Sequence, residues 1–213
     1  MSKIKKALEL PTEIFHNRKL VFSLAKNDFK TKYAGSYLGI VWAFVQPIVT
    51  ILVYWFVFSV GLKAGNASNY PFVLYLISGI VPWFFFQDAL NGGTNALLEY
   101  NYLVKKVVFK ISILPMVKVI SALFVHGFFV AFALIISSCY GYTPTLHTLQ
   151  LIYYSFCTFM LALALSYATS AVVIFFRDLT QIYQYFSSGR SLADTYYVGF
   201  SYAGGTSAFD ETF

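Results

Sequence analysis

LGIVWAFVQPIVTILVYWFVFSV, residues 38–60, contains no charged side chain, and none occurs anywhere between Lys32 and Lys63. At 1.5 Å of rise per residue, a helix over this stretch is long enough to cross a hydrocarbon core of about 30 Å. The reading is therefore a membrane span. Within it, Gln46-Pro47 predicts a kink, because Pro47 removes one backbone donor and its ring crowds the preceding turn.

The same test, carried outward, predicts three more spans. A second apolar run extends from Tyr70 to about Leu90, interrupted by Gly79 and Pro82 and ending near Asp88. A third runs from Val119 to Tyr140, with His126 its one ionisable group, and a fourth from Leu149 to Phe176, stopped by Arg177-Asp178. Between the second and third lies a polar, basic segment, 91–118, read as a short helix outside the bilayer. Upstream, residues 13–33 mix apolar positions with lysines. Leu20, Val21 and Leu24 share a face, which predicts an amphipathic helix on the membrane surface. The expected fold is thus an all-α membrane bundle of about four spans with an N-terminal interfacial helix. Residues 1–186 form the transmembrane domain and 187–213 a divergent or disordered tail rich in Ser, Gly and Tyr.

Composition agrees with a membrane protein. Hydrophobic residues make up 58% of the chain and charged residues 11%, against about 45–50% and about 25% in soluble domains. The net charge of +6 is not a nucleic-acid footprint, because the basic residues cluster before the first span and in alternate loops, with Lys63 alone after span one. Lys105, Lys106, Lys110 and Lys118 follow span two, none lies between spans three and four, and Arg177 follows span four. The positive-inside rule then places the N-terminus, the middle loop and the end of span four in the cytoplasm. Cys139 and Cys157 sit in apolar stretches and read as buried thiols, neither a disulfide framework nor a metal site.

Catalytic and nucleotide-binding signatures are missing. No glycine-rich loop ends in Lys-Ser or Lys-Thr, and neither a paired-His metal motif nor a serine elbow occurs. Three ionisable residues stand inside or beside the spans. His126 is a candidate proton relay or a buried hydrogen-bonding group. Asp88 reads as reaching interfacial water, and Lys118 as snorkelling to the headgroups. Aromatic residues are dense. Trp42, Tyr54, Trp55, Trp83 and Phe84 are candidates to line a passage in which ring faces stack on sugars with few fixed hydrogen bonds.

Several motifs carry a family resemblance. Lys26-Asn27-Asp28-Phe29-Lys30-Thr31-Lys32-Tyr33, then Leu38-Gly39-Ile40-Val41-Trp42 with Gln46-Pro47, resemble the start of permeases of type 2 ABC exporters. Ser78-Gly79-Ile80-Val81-Pro82-Trp83, Asn101-Tyr102-Leu103-Val104-Lys105-Lys106 and Phe176-Arg177-Asp178-Leu179 follow in the same order. The nearest group is similar to exporters of teichoic acid, O-antigen and capsular polysaccharide. That resemblance implies a permease subunit in a bacterial cytoplasmic membrane, not itself an enzyme, working as a homodimer on a lipid-linked polysaccharide. It also implies a separate cytoplasmic ABC ATPase holding ATP and Mg, with no cofactor and no nucleic acid on this chain. The ATPase-coupling loop would comprise Asn95, Glu99, Asn101, Leu103, Lys105, Lys106 and Phe109, with Arg177 and Asp178 at the cytoplasmic end of span four.

Two features depart from the family. Lys110 stands where Pro is frequent, and the family's six spans lead to the expectation that this chain is truncated at its C-terminal side. Two other readings follow from the residues: a membrane enzyme acting on a polyprenyl-linked sugar, with His126 and Asp88 as acid and base, and an inactive truncated permease remnant.

Overall fold

The computed structural model describes residues 16–61, 71–100, 111–142, 146–176, 178 and 180–181; the side chain of His147 is outside the description. Among these residues the structure is helical, with no strand. Four helical segments are long and apolar enough to cross a membrane: Gly39–Gly61, Phe72–Glu99, Ile111–Cys139 and Gln150–Val173.

Helix α1 (Arg18–Lys32) precedes them. Its buried residues, Val21, Ala25 and Asp28, recur at helical spacing, and the apolar pair packs on Ile113 and Val117 at the start of span three. Leu20 is exposed, while the Phe22 and Phe29 rings stand edge-on to Phe124, with ring centres 5.5 Å and 6.0 Å away. Helix α1 thus docks on the third span through Val21, Ala25 and these rings and offers other apolar side chains to its surroundings. Lys30 and Lys32 lie in its last turn, where cations complement the helix dipole. The chain then turns through Gly35, whose φ of 98° suits a residue without Cβ.

Helix α2 (Trp42–Trp55) begins from a 3-10 turn at Gly39–Val41 and widens into a π-type segment at Phe56–Gly61. The helical assignment runs through Pro47 without a break. Buried residues are few in this span: Ala43, Ile51 and Phe58.

Helix α3 (Phe72–Glu99) is the centre of the bundle. Phe72, Leu76 and Phe58 pack together at one end, Ile77, Val81, Ile51 and Phe129 in the middle, and Phe85, Ala89, Val119, Ala122 and Ala162 farther on. The sequence reading ends this span near Leu90 and assigns the next residues to an external segment. In the structure the helix continues to Glu99, because Ala89, Gly93 and Ala96 extend its buried stripe against the fourth span. Its 28 residues correspond to about 42 Å, about 12 Å more than the hydrocarbon core. Asp88 falls about 24 Å along the helix from Phe72, with about three further turns beyond it.

Helix α4 (Leu114–Cys139) also starts earlier than Val119, with Pro115 in its first turn, where a missing N–H costs nothing. It ends in a Schellman arrangement: Tyr142 N–H donates to Ser137 C=O (3.1 Å) and Gly141 N–H to Ser138 C=O (3.0 Å). Helix α5 (Gln150–Val173) follows. A Cβ on Gly93 would lie 2.3 Å from Ser166 Oγ, so α3 and α5 meet almost backbone to backbone. Thr94 and Thr169 hydroxyls hydrogen-bond there at 2.6 Å. Small residues and interhelical hydroxyl bonds are how helices associate where no hydrophobic force separates them from lipid. Cys139 and Cys157 are free and exposed, on helix faces turned away from the core, and so are not buried thiols.

Candidate functional site

Charge decides where the site lies. The start of α2, the end of α3, the start of α4 and the end of α5 come to one end of the bundle, and α1 lies across it. Thr180 Oγ1 donates to Asn95 Oδ1 (3.1 Å), tying the residues after α5 to the last turns of α3. The ionisable side chains that looked isolated in the sequence meet here.

Lys32 Nζ donates to Asp88 Oδ1 at 2.5 Å, with the two side chains 40% and 37% exposed. Partial burial opposes the Lys32 charge, but the charge and hydrogen bond of Asp88 more than offset it, and the pKa lies above the ordinary value. Burial raises the neighbouring Tyr33 hydroxyl as well. Asp88 is thus committed to an ion pair, not simply to interfacial water.

Lys118 departs further from the expectation. It does not snorkel: its side chain is 12% exposed and its ammonium pairs with Asp28 Oδ1 (2.8 Å), itself 6% exposed, and with Glu99. Tyr100 donates its hydroxyl to the same Asp28 oxygen (2.6 Å), and the Lys118 ammonium lies 5.1 Å from the Tyr100 ring centre. Asp28 was not singled out from sequence. The available signal was its place in the buried Val21, Ala25, Asp28 stripe, where a carboxylate needs a cation.

Two adjoining cavities flank these pairs and share Lys32, Asp88, Asn91 and Ala122 in their walls. The first, of 440 Å³, separates span one (Trp42, Gln46, Pro47) from spans two and three (Phe84, Asp88, Phe129). The second, of 490 Å³, lies between α1 and the ends of α3 and α4 and is lined by Asp28, Asn95, Glu99, Tyr100 and Lys118. His126 borders the first cavity; its Nε2 bonds Ser155 Oγ (3.1 Å) and its ring stacks 4.6 Å from Phe85, linking three spans.

Of the five candidate passage aromatics, Trp42 and Phe84 line the first cavity. Tyr54 packs against Phe58, Phe72 and Leu76; Trp83 lies 5.9 Å from Phe86, and Trp55 is exposed. Asn95 and Glu99, proposed as part of a loop, belong to the last two turns of α3, and Asp178 lies just past α5. Asn101, Leu103, Lys105, Lys106, Phe109 and Arg177 lie outside the described residues, as does the tail 187–213.

Comparison with known proteins adds the family. Residues 19–189 match the family model described as ABC-2 type transporter. The O-antigen export system permease protein RfbA of Myxococcus xanthus is 31% identical over 175 residues, covering 82% of this chain and 66% of that protein. The protein of the same name from Klebsiella pneumoniae is 25% identical over 163 residues, covering 75% and 61%. The chain therefore spans just under two thirds of the length of these relatives.

Proposed function

The chain belongs to the ABC-2 type transporter family, and from that membership we propose that it is the permease subunit of an exporter for a lipid-linked cell-surface polysaccharide. The observation that carries the reading is a four-span bundle whose acidic and basic side chains, among those described, gather at one end, in a chain similar to O-antigen export permeases. Such a bundle is a multi-pass membrane protein with no nucleotide-binding signature of its own, so the energy for transport comes from a partner. An ABC ATPase, carrying ATP and Mg, docks on the charged end. That end is cytoplasmic on this reading, which the excess of lysines there supports.

The docking surface is centred on residues 95–109, from the last turns of α3 into the segment that follows it. Two copies of the permease enclose the path of the glycan. The aromatic and amide side chains beside the first cavity, Trp42, Phe84 and Gln46, are of the kind that sugars stack on and hydrogen-bond to.

Co-purification with a candidate cytoplasmic ABC ATPase of the same organism tests the proposal. The unaltered permease retains the ATPase on an affinity column, and the double charge reversal Lys105→Glu with Lys106→Glu reduces the retained ATPase about tenfold or more. An undiminished complex in that variant shows that docking lies elsewhere.

A further inference from the structure

Three elements distant in sequence converge on one buried carboxylate. Asp28 projects from α1, Tyr100 and Glu99 close α3, and Lys118 stands in the second turn of α4. Tyr100 holds Asp28 directly, while Glu99 reaches it through the shared ammonium of Lys118. A displacement of the end of α3 therefore acts on α1 by two parallel connections.

Stability alone does not call for this arrangement. Well-packed apolar residues in place of a buried ion pair are commonly as stabilising or more so, whereas breaking one partner is costly, so the charges fix one geometry. The 490 Å³ cavity beside the cluster leaves room for it to rearrange. Beyond the cluster, α1 is held by Val21 and Ala25, by the Phe22 and Phe29 rings edge-on to Phe124, and by the half-exposed Lys32–Asp88 pair. It then leads through the Gly35 turn into span one, the span with the fewest buried residues.

We infer that Asp28, Lys118, Glu99 and Tyr100 form a charge relay transmitting movement of the end of α3 to α1 and so to span one. All four act as positioning residues. As a coupling device the relay rests on the proposal that the segment after Tyr100 meets the ATPase, but the physical connection exists in the permease by itself and is measurable there.

Hydrogen exchange of the full chain in lipid nanodiscs is the test. In the variant Glu99→Gln with Tyr100→Phe, amides of residues 18–32 exchange about tenfold faster while those of α5 stay unchanged. The milder Asp28→Asn has the same effect in the same direction. Inverting every charge, with Asp28→Lys, Lys118→Asp and Glu99→Lys together, restores protection, which a loss of packing would not. Unchanged exchange in α1 in both weakened variants, or no recovery on inversion, overturns the relay.

A second arm separates the relay from the docking proposal. In the complex, Asp28→Asn keeps the ATPase bound but removes the ATP-dependent change in α1 exchange seen with the unaltered chain. A bound ATPase with a full α1 response in that variant overturns the relay and leaves docking intact. Failure of the unaltered chain to bind the ATPase overturns docking and, with it, the coupling role.

Discussion

At the scale of single residues, burial separates two ion pairs that look alike in a list of charges. Lys32 and Asp88 are both more than a third exposed, and such pairs contribute at most about 1 kcal/mol. Lys118 and Asp28 are nearly enclosed, and removing one partner of such a pair costs about 3–5 kcal/mol. Lys118→Ala accordingly lowers the unfolding temperature in detergent by several times as much as Lys32→Ala. Because the Lys32 pKa is raised, its contribution is full below the ordinary lysine value of about 10.5 and fades only as pH rises past the folded value. The difference in melting temperature between Lys32→Ala and the unaltered chain is thus flat across neutral and mildly alkaline pH and shrinks only as pH rises past the raised Lys32 value. Sequence showed Asp88 and Lys118 at the edges of apolar runs, and Asp28 and Lys32 within the basic segment before span one. Their partners were not legible, because Lys32 and Asp88 lie on different helices, as do Asp28 and Lys118, and only the packing of α1 on α4 brings the second pair together.

At the scale of elements, hydropathy found every span but misjudged where two of them end. A bilayer limits the apolar stretch, not the helix, so α3 continues past its last strongly apolar residues for as long as α5 offers it a partner. That contact rests on Gly93. A Cβ there meets Ser166 at 2.3 Å, whereas one at Gly79 meets nothing within 4 Å. Gly93→Ala destabilises the bundle by about 1–3 kcal/mol through overpacking, while Gly79→Ala is neutral or stabilising by up to about 1 kcal/mol because alanine favours the helix. Thermal unfolding in detergent distinguishes the two, and equal melting temperatures would show that α3 and α5 are not in close contact. The amphipathic helix was also legible, but its packing on protein was not: the strip that docks is Val21, Ala25 and Asp28. Helical periodicity alone does not decide between facing lipid and facing a neighbouring helix.

At the scale of the molecule, what the sequence made legible was a polarity: long apolar spans, and lysines concentrated before span one and in alternate segments, with Lys63 the exception. The structure turns that one-dimensional pattern into an object with one charged end, where α1, the end of α3 and the start of α4 meet around Asp28 and Lys118. The candidate aromatics were harder to place, since in a chain so rich in Phe and Tyr composition does not separate a ring on a cavity wall, such as Trp42, from one turned outward, such as Trp55. Coupling to an ATPase requires that the charged end face the cytoplasm, and cysteine labelling measures this directly. With Cys139 and Cys157 replaced by Ser, a single cysteine is placed at Ser36, in the turn after α1, or at Leu146, in the exposed 3-10 turn before α5. A membrane-impermeant maleimide added to intact cells labels position 146 and reaches position 36 only after permeabilisation; labelling of position 36 in intact cells contradicts the account.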